Sequence, residues 1–513
     1  MVSRPSAARL PSFRIPLAVL LGAIACWLTL VVTEPPGPGL DPDSVQYVAA
    51  ARSLATRGIL EVPDDSWDSP DSAEALSHFP PGLPAVLAVP VALGADPVQV
   101  ARGVNGLAAL ALMMVVFLLV SGATNRLAGV VAVVAVGVTP GVAYVFMDVL
   151  SEPLFLALTA ATLALMVAPR GRPWVTGLAA AAAMMVRYAG VSLVATVVLW
   201  WLMRPGSARE RMGRAIGAGA PGMLALGAWV IRTHIVTKGS GIREFSVYRQ
   251  IGPSLREGAS TLATWAAPMA GGAWRVLAAL VVLCALAALT TGSVQRWTGR
   301  SIWGIGASEG RPAVRLTVAT VTMAVCYVGV VVGARLFADP AIPLDNRLLA
   351  PLMFLAALAV VSMVADGWSA WGRRGCVAAT VLLGAWCSAS GWVTAQEGIY
   401  ALETGNDYAD MAWSGSPLVA WVRDHAADRP LFTNHPTALY FHAGRWSRVM
   451  PMAPRRDSAR AFADTVAARH ALVVGFDAST RFAMSPTALL QLVPSSVRRV
   501  VRLADGAIYE IRR

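Results

Sequence analysis

Charge is what this sequence has least of. Of its 513 residues only 14% are charged, against 56% hydrophobic, whereas a soluble globular chain carries about a quarter charged. An ordinary soluble domain is thereby excluded. Cysteine is scarce too. The five (Cys26, Cys284, Cys326, Cys376 and Cys387) lie in or beside apolar runs and none has CxxC spacing. Neither a disulfide framework nor a zinc site is indicated, and they read as small packing residues. There is no internal repeat, no low-complexity tract, no glycine-rich phosphate loop and no GxSxG, HExxH or Walker signature, so those hydrolase and nucleotide chemistries have no foothold.

What is present is a series of apolar runs that approach or exceed the ~20 residues a helix needs to cross a bilayer. The net charge of +12 resides in arginines clustered in short loops between those runs, where they set membrane orientation. No nucleic-acid partner is expected. Arg4, Arg9 and Arg14 precede an apolar run from Ile15 to Thr33. That run is too long for a signal-peptide core and no A-x-A site follows, so an uncleaved first span is expected.

In order, spans are expected at about 15–33, 98–120, 127–146, a fourth after the outer turn MDVLSEPL and ending at about 168, then 215–233, 274–291, 316–333, 348–365 and 376–394. The run from Trp174 to Met203 is expected to form two short helices meeting near Arg187, because an arginine at the centre of a span costs about 2.5–3.5 kcal/mol. Eleven spans from a cytoplasmic N-terminus place the arginine-rich turns inside at every step and the C-terminus outside. Residues 1–394 then form a polytopic α-helical membrane domain, with a first outer loop at 34–96 that carries surface helices. Beyond Thr394 the composition turns soluble. PLFTN, ALVVGF and VRRVVRLADGAIYEI read as strands and SPLVAWVRDHA and DSARAFADTVAARH as amphipathic helices, which predicts a small extracytoplasmic α/β domain at 395–513.

The longest polar interruption of the N-terminal third runs from Asp41 to Pro84. Nine acidic residues lie between Glu34 and Pro81 against two arginines, Arg52 and Arg57, as suits an outer loop. Tyr47, Ala51 and Leu54 follow Asp43 at helical spacing. Asp43 is therefore a candidate general base for a lipid-borne substrate, or the cap of a helix starting near Ser44. Asp41 and Tyr47 are further candidates for substrate contact. Asp148 and Glu152 lie four apart in the second outer turn, so one helical face could carry both. Arg187, Arg232, Arg243, Arg347 and Lys238 sit at outer or mid-membrane positions against the positive-inside pattern, and guanidinium groups suit phosphate. His78, beside Phe79-Pro80-Pro81-Gly82, is a candidate sugar contact. Trp67 and Trp265 are candidates for stacking on sugars, and Asn434-His435-Pro436 reads as structural.

These stretches occur in a definite order: D-x-x-x-Y-x-x-x-A at Asp43 to Ala51, H-x-P-P-G-x-P at His78 to Pro84, S-E-P-L-F at Ser151 to Phe155, R-Y-A-G at Arg187 to Gly190, W-x-x-R at Trp229 to Arg232 and D-N-R-L-L-A-P at Asp345 to Pro351. The series resembles the GT-C glycosyltransferases, particularly the bacterial branch related to protein mannosyltransferases and the lipid A aminoarabinose transferase, over residues 15 to 395. The resemblance implies a polyprenyl-phosphate sugar donor, an active site on the outer face of a bacterial inner membrane and inversion at the anomeric carbon. It implies Asp43 as catalytic aspartate, Glu152 as second-loop acid and Arg347 as a donor-phosphate contact. A divalent ion, Mg or Mn, held by Asp43 and Glu152 is the one cofactor the pattern admits. Many relatives carry Asp-Glu where this chain has Asp43-Ser44, a departure that bears on that metal site. The acceptor is left open as glycan, lipid or protein. Two other classes fit some of the same features: a transporter or flippase of a lipid-linked or anionic solute, and a non-catalytic assembly subunit on the same fold.

Overall fold

The computed structural model describes residues 13–511 except 65, 70–72, 239–246, 249–250, 273–274, 276–311, 340–341, 369, 427, 453–454, 481–482 and 494–496. Helix α1 (Arg14–Val32) fills the first apolar run. The polar interruption holds α2 (Pro42–Arg57), an antiparallel pair of short strands β1 (Glu61–Pro63) and β2 (Ala73–Ala75), and α3 (Gly82–Ala92). There follow α4 (Pro97–Ala123), α5 (Arg126–Gly137), α6 (Pro140–Met147), α7 (Glu152–Val167), α8 (Pro173–Val186), a 3-10 turn at Tyr188–Gly190, α9 (Val191–Leu202), α10 (Ala208–Val236) and α11 (Ile251–Ala266). Next come α12 (Pro312–Phe337), α13 (Asn346–Gly367) and α14 (Arg373–Thr404). The remainder is α15 (Pro417–His425), β3 (Leu431–Thr433), β4 (Arg448–Val449), α16 (Arg456–Ala468), β5 (Leu472–Phe476), α17 (Pro486–Leu492), β6 (Val497–Leu503) and β7 (Gly506–Ile511).

The chain divides into two compact units. The first comprises Met1–Val32, Ser77–Leu83 and Ala101–Ile399, and the second Thr33–Leu76, Pro84–Val100 and Tyr400–Arg513.

The first unit is the membrane part of a multi-pass protein. Among the described residues six helices are long and apolar enough to cross a membrane, or seven if the bent pair α5–α6 counts as one span, and α7, α8 and α9 are shorter apolar helices. Burial grades them: 67% of the most apolar window of α13 is buried, against 17% for α1 and 6% for α14. The central helices therefore form the core and those two present most of their apolar surface outward. Small residues let backbones approach, as is usual between helices in lipid. A Cβ on Gly177 of α8 would stand 2.3 Å from the Ala218 carbonyl oxygen of α10, so this crossing admits glycine alone without a backbone shift.

The structure departs from the sequence expectations at several points. The expected third span, 127–146, bends by 63° between α5 and α6, where Pro140 removes a backbone donor and Thr139 turns its hydroxyl to the Ala135 carbonyl at 2.7 Å. The loop expected from 234 to 272 contains α11, whose Thr261 hydroxyl donates to the Leu344 carbonyl at 2.6 Å and whose Glu257 accepts from the Leu344 N–H at 2.8 Å. Helix α10 begins seven residues before the expected 215, and α14 continues through 394 to Thr404. The span expected at 274–291 lies outside the described residues. The two helices expected to meet near Arg187 are α8 and α9, with Arg187 in extended backbone between α8 and the 3-10 turn.

The second unit is built on a five-stranded mixed sheet of order β4-β3-β5-β7-β6. Strand β3 runs parallel to β4 and β5, while β7 is antiparallel to β5 and β6. Successive side chains point to opposite faces, and both faces are covered. Phe432, Val473, Ala507 and Tyr509 join α16 and α17 residues in one core, whereas Leu431, Leu472, Val474 and Ile508 join α15 in another. Burial on both faces is why β3 and β5 read as unbroken apolar runs.

The acidic first loop is part of this unit. Trp446 Nε1 donates to the Asp64 carbonyl at 2.9 Å, Arg469 Nη2 to the Ser69 carbonyl at 2.6 Å, and Arg448 reaches the Ser66 and Ser69 carbonyls. Trp67, expected as a sugar-stacking residue, packs edge-on against Phe462 of α16 with ring centroids 5.9 Å apart. The loop thus uses its indole as core and its backbone carbonyls as acceptors.

Asn434 and His435, read from the sequence as structural, are buried and hydrogen-bonded within this unit. The Asn434 amide bridges the Phe476 carbonyl at 2.9 Å and the Phe476 N–H at 2.9 Å. His435, 4% exposed, donates from Nε2 to the Ala478 carbonyl at 2.9 Å and accepts the Tyr408 hydroxyl at Nδ1, 2.7 Å away. Burial lowers its pKa from 6.5, the Ala478 contact opposing only in part, and burial with the nearby Asp407 and Asp41 carboxylates pushes the Tyr408 phenol up to about 12. Because the folded value of His435 is depressed, its contribution to stability is complete above 6.5 and is lost as pH falls through the lower folded value. Thermal unfolding of the purified full chain should show the second unit losing stability between pH 7.5 and pH 5. His435→Gln should cost about 1–3 kcal/mol at pH 7.5 and flatten that pH dependence.

Candidate active site

The site is assembled where helix ends of the first unit meet. Glu152 is the first residue of α7, with Pro153 behind it and Ser151 as cap residue. A carboxylate in the first helical turn suits the positive end of the helix dipole. The residue has no solvent exposure, and a buried carboxylate needs cationic or hydrogen-bonding partners. Two guanidiniums supply them. Arg187 Nη1 lies 2.6 Å from Glu152 Oε1 and Arg347 Nε lies 2.5 Å from the same oxygen. The Ser151 hydroxyl is 3.2 Å from Glu152 Oε2 and accepts from Arg187 Nη1 at 3.3 Å. The side chains of Arg187 and Arg347 retain 16% and 20% exposure.

Each arginine is aimed by its local backbone. Arg187 follows the last residue of α8, and Gly190 closes the 3-10 turn so tightly that a Cβ there would stand 2.4 Å from the Met184 Cα. The glycine of R-Y-A-G thereby permits the fold-back that carries Arg187. Arg347 is the second residue of α13, whose N-terminus is capped by the Asp345 carboxylate accepting the Leu348 N–H at 2.9 Å. Tyr327 of α12, wholly buried, donates to the Leu348 carbonyl at 2.6 Å and so fastens the same turn.

A second strand of contacts runs from this point. The Tyr188 hydroxyl donates to the Ser77 carbonyl at 3.1 Å and accepts the Trp229 indole N–H at 2.7 Å. The Arg232 guanidinium lies 4.8 Å from the centroid of the Trp229 ring, within cation–π range. Five stretches far apart in sequence are therefore brought together: Ser77 to Gly82, Ser151-Glu152, Arg187 to Gly190, Trp229 to Arg232 and Asp345 to Arg347.

The same arrangement of helices occurs in solved structures. ArnT from Cupriavidus metallidurans bound to undecaprenyl phosphate matches with a TM-score of 0.57 at 14% identity, covering 96% of this chain and 97% of that one. The arabinofuranosyltransferase AftD from Mycobacteria matches with a TM-score of 0.53 at 15% identity, covering 97% of this chain and 42% of that one. The archaeal oligosaccharyltransferase AglB from Archaeoglobus fulgidus, in complex with an inhibitory peptide and a dolichol-phosphate, matches with a TM-score of 0.50 at 9% identity, covering 90% of this chain and 70% of that one. No family model matches the sequence, and no curated protein does. The chain has the GT-C fold of membrane glycosyltransferases.

On this GT-C fold the remaining expected residues fall as follows. Asp148 and Glu152 do not share a helical face: Asp148 follows the end of α6 and Glu152 opens α7. Neither is a solvated cap, their exposures being 1% and 0%. The turn between them is held by Asn105 of α4, whose amide donates to the Asp148 carbonyl at 2.7 Å and the Phe146 carbonyl at 3.3 Å. Asn105 and Tyr327 were missed in the sequence; each is a polar group inside an apolar run, which is itself a signal.

Asp43 belongs to the second unit. It is half-buried in the first turn of α2 and is not its cap. The helix starts at Pro42, and Asp41 caps it, accepting the Ser44 N–H at 3.0 Å while Ser44 Oγ returns a bond to the Asp41 N–H. Asp41, expected as a substrate contact, thus commits a carboxylate oxygen to the cap. Tyr47 is 1% exposed on the core side of α2. His78 is exposed in the turn before α3, and Lys238 is exposed just past α10. Arg243 lies outside the described residues.

The divalent ion was expected on Asp43 and Glu152, and the surroundings of Glu152 bear on that expectation. Among the described residues no three His, Cys, Asp or Glu side chains form a metal cluster. The Glu152 oxygen that would serve is held by two guanidiniums, whose charge opposes a second cation. Breaking a buried ion pair at one partner costs about 3–5 kcal/mol. Glu152→Gln should therefore lower the thermal stability of the purified protein by about that amount. Adding Arg187→Gln should recover part of the loss, and a double-mutant cycle measures the coupling.

Proposed function

We propose that this chain is an inverting glycosyltransferase that moves a sugar from a polyprenyl-phosphate donor to an acceptor at the extracytoplasmic face of a bacterial inner membrane. The observation that carries the reading is the convergence of Arg187 and Arg347 on the buried Glu152, with Arg232 stacked on the neighbouring Trp229. Guanidinium groups bind phosphate through paired N–H donors, and Glu152 holds two of them without letting them repel each other apart. The solved GT-C structures bound to undecaprenyl phosphate and dolichol-phosphate support a lipid-phosphate ligand for this fold.

In the proposed reaction, Asp43 takes the proton of an acceptor hydroxyl as its oxygen attacks the anomeric carbon. The bond from that carbon to the phosphate oxygen breaks on the opposite face, inverting the configuration in a single displacement, as in inverting sugar chemistry generally. Charge that develops on the departing polyprenyl phosphate is met by Arg187, Arg347 and Arg232, fixed before the reaction begins. The N-terminus is assigned to the cytoplasm and residues 395–513 to the extracytoplasmic side.

The test is loss of lipid-linked sugar, followed by mass, when the purified protein is incubated with a panel of polyprenyl-phosphate sugars. Asp43→Asn should retain expression and membrane insertion and lower turnover by at least about 100-fold, the low end of general-base contributions. Near wild-type turnover in that variant removes Asp43 from the mechanism. Movement of lipid-linked sugar across a vesicle membrane without any transfer product favours the transporter reading instead.

A further inference from the structure

A cavity lies wholly within the second unit. It has a volume of about 350 Å³ and is lined by α2 residues including Arg52, Ser53 and Arg57, by strand residues of β1 and β2, and by Tyr440 and Trp446. That volume is within the usual range for small-molecule sites, about 300–1,000 Å³. The cavity is not on the side of α2 that carries Asp43. Nine residues separate Asp43 from Arg52, which at 100° per residue is half a turn beyond two full turns, and places Arg52 ~13 Å further along on the opposite face.

Its chemistry is uneven in a way that selects a ligand. Arg57 is neutralised by Glu61, Nη1 to Oε2 2.8 Å, and also donates to the Ser53 hydroxyl at 3.0 Å. Arg52 has no such carboxylate among the described residues. Its Nη1 donates to the Tyr440 hydroxyl at 3.1 Å, and its Cζ stands 5.7 Å from the Tyr440 ring centroid. Tyr440 and Trp446 meet at right angles, centroids 5.9 Å apart and planes at 81°. The Trp446 N–H is spent on the Asp64 carbonyl, so the indole is locked in place and offers the cavity only its apolar surface. Among the described residues, the Arg52 guanidinium thus has no carboxylate partner and stands beside a rigid aromatic corner.

We propose that this cavity is a binding subsite for an acidic sugar residue. A pyranose has an apolar C–H face that packs on an aromatic ring, and a carboxylate or phosphate on that ring would take the Arg52 fork in charge-assisted hydrogen bonds. The subsite is independent of Asp43, and stands whether or not Asp43 is the catalytic base.

The test uses the full chain in lipid nanodiscs, which avoids sugar detergents, and follows saturation-transfer NMR of D-glucuronate, D-glucose 6-phosphate and neutral D-glucose. At least one anionic sugar should bind, with glucose weaker by about tenfold, the loss expected when a charge-assisted pair is missing. A response to glucuronate alone assigns a uronate, and one to the phosphosugar alone assigns a phosphorylated residue. Arg52→Gln should abolish the signal with thermal stability unchanged, Arg52→Lys should keep part of it, and Asp43→Asn should keep all of it. Equal binding of glucose, unchanged binding in Arg52→Gln, or no response to either anion overturns the proposal.

Discussion

A carboxylate with no exposed surface persists as an ion only where cations meet it, and the meeting of Glu152 with Arg187 and Arg347 is the constraint on which the first unit turns. Taking these charges out of water is costly, and the arrangement is stable only while all members stay in place. Three chain segments are therefore bound to one another: the N-terminus of α7, the junction of α8 and α9, and the N-terminus of α13. Arg187, Arg347 and Glu152 are each positioned through one of those three. Glycine at 190, the Asp345 cap and the Tyr327 hydroxyl each act by aiming one arginine.

The other end of α7 repeats the logic with the sign reversed. Carbonyls at a helix C-terminus attract cations. Arg315, buried in the first turn of α12, donates to the Val167 carbonyl at 2.6 Å, and Arg204 donates to the Met166 carbonyl at 3.4 Å while lying over the Trp200 and Trp201 rings. A short apolar helix is thus gripped at both ends by arginine, once through a carboxylate and once through its own backbone. Arginine in these apolar surroundings has a structural use at one end of α7 and a proposed chemical use at the other.

The second unit obeys a different economy. Its sheet is covered on both faces by amphipathic helices, and its polar groups are satisfied by locked pairs such as Asn434 with Phe476 and His435 with Tyr408. The acidic loop after α1 belongs to it because backbone carbonyls of Asp64, Ser66 and Ser69 fill donors on Trp446, Arg448 and Arg469. Its acidity, which sequence patterning ties to membrane side, says nothing of that role.

The sequence by itself determined what depends on neighbouring residues. Long apolar runs made the spans, because bilayer thickness sets their length. The break at Arg187 and the strands at 431–433, 472–476, 497–503 and 506–511 were all legible in local period and composition. Only the tertiary structure decided that Glu152 pairs with Arg347, 195 residues away. It also decided that α11 forms inside a presumed loop and that the acidic loop packs within the second unit. Those outcomes rest on contacts between distant segments and on desolvation, and neither leaves a mark in the period or composition of any one stretch.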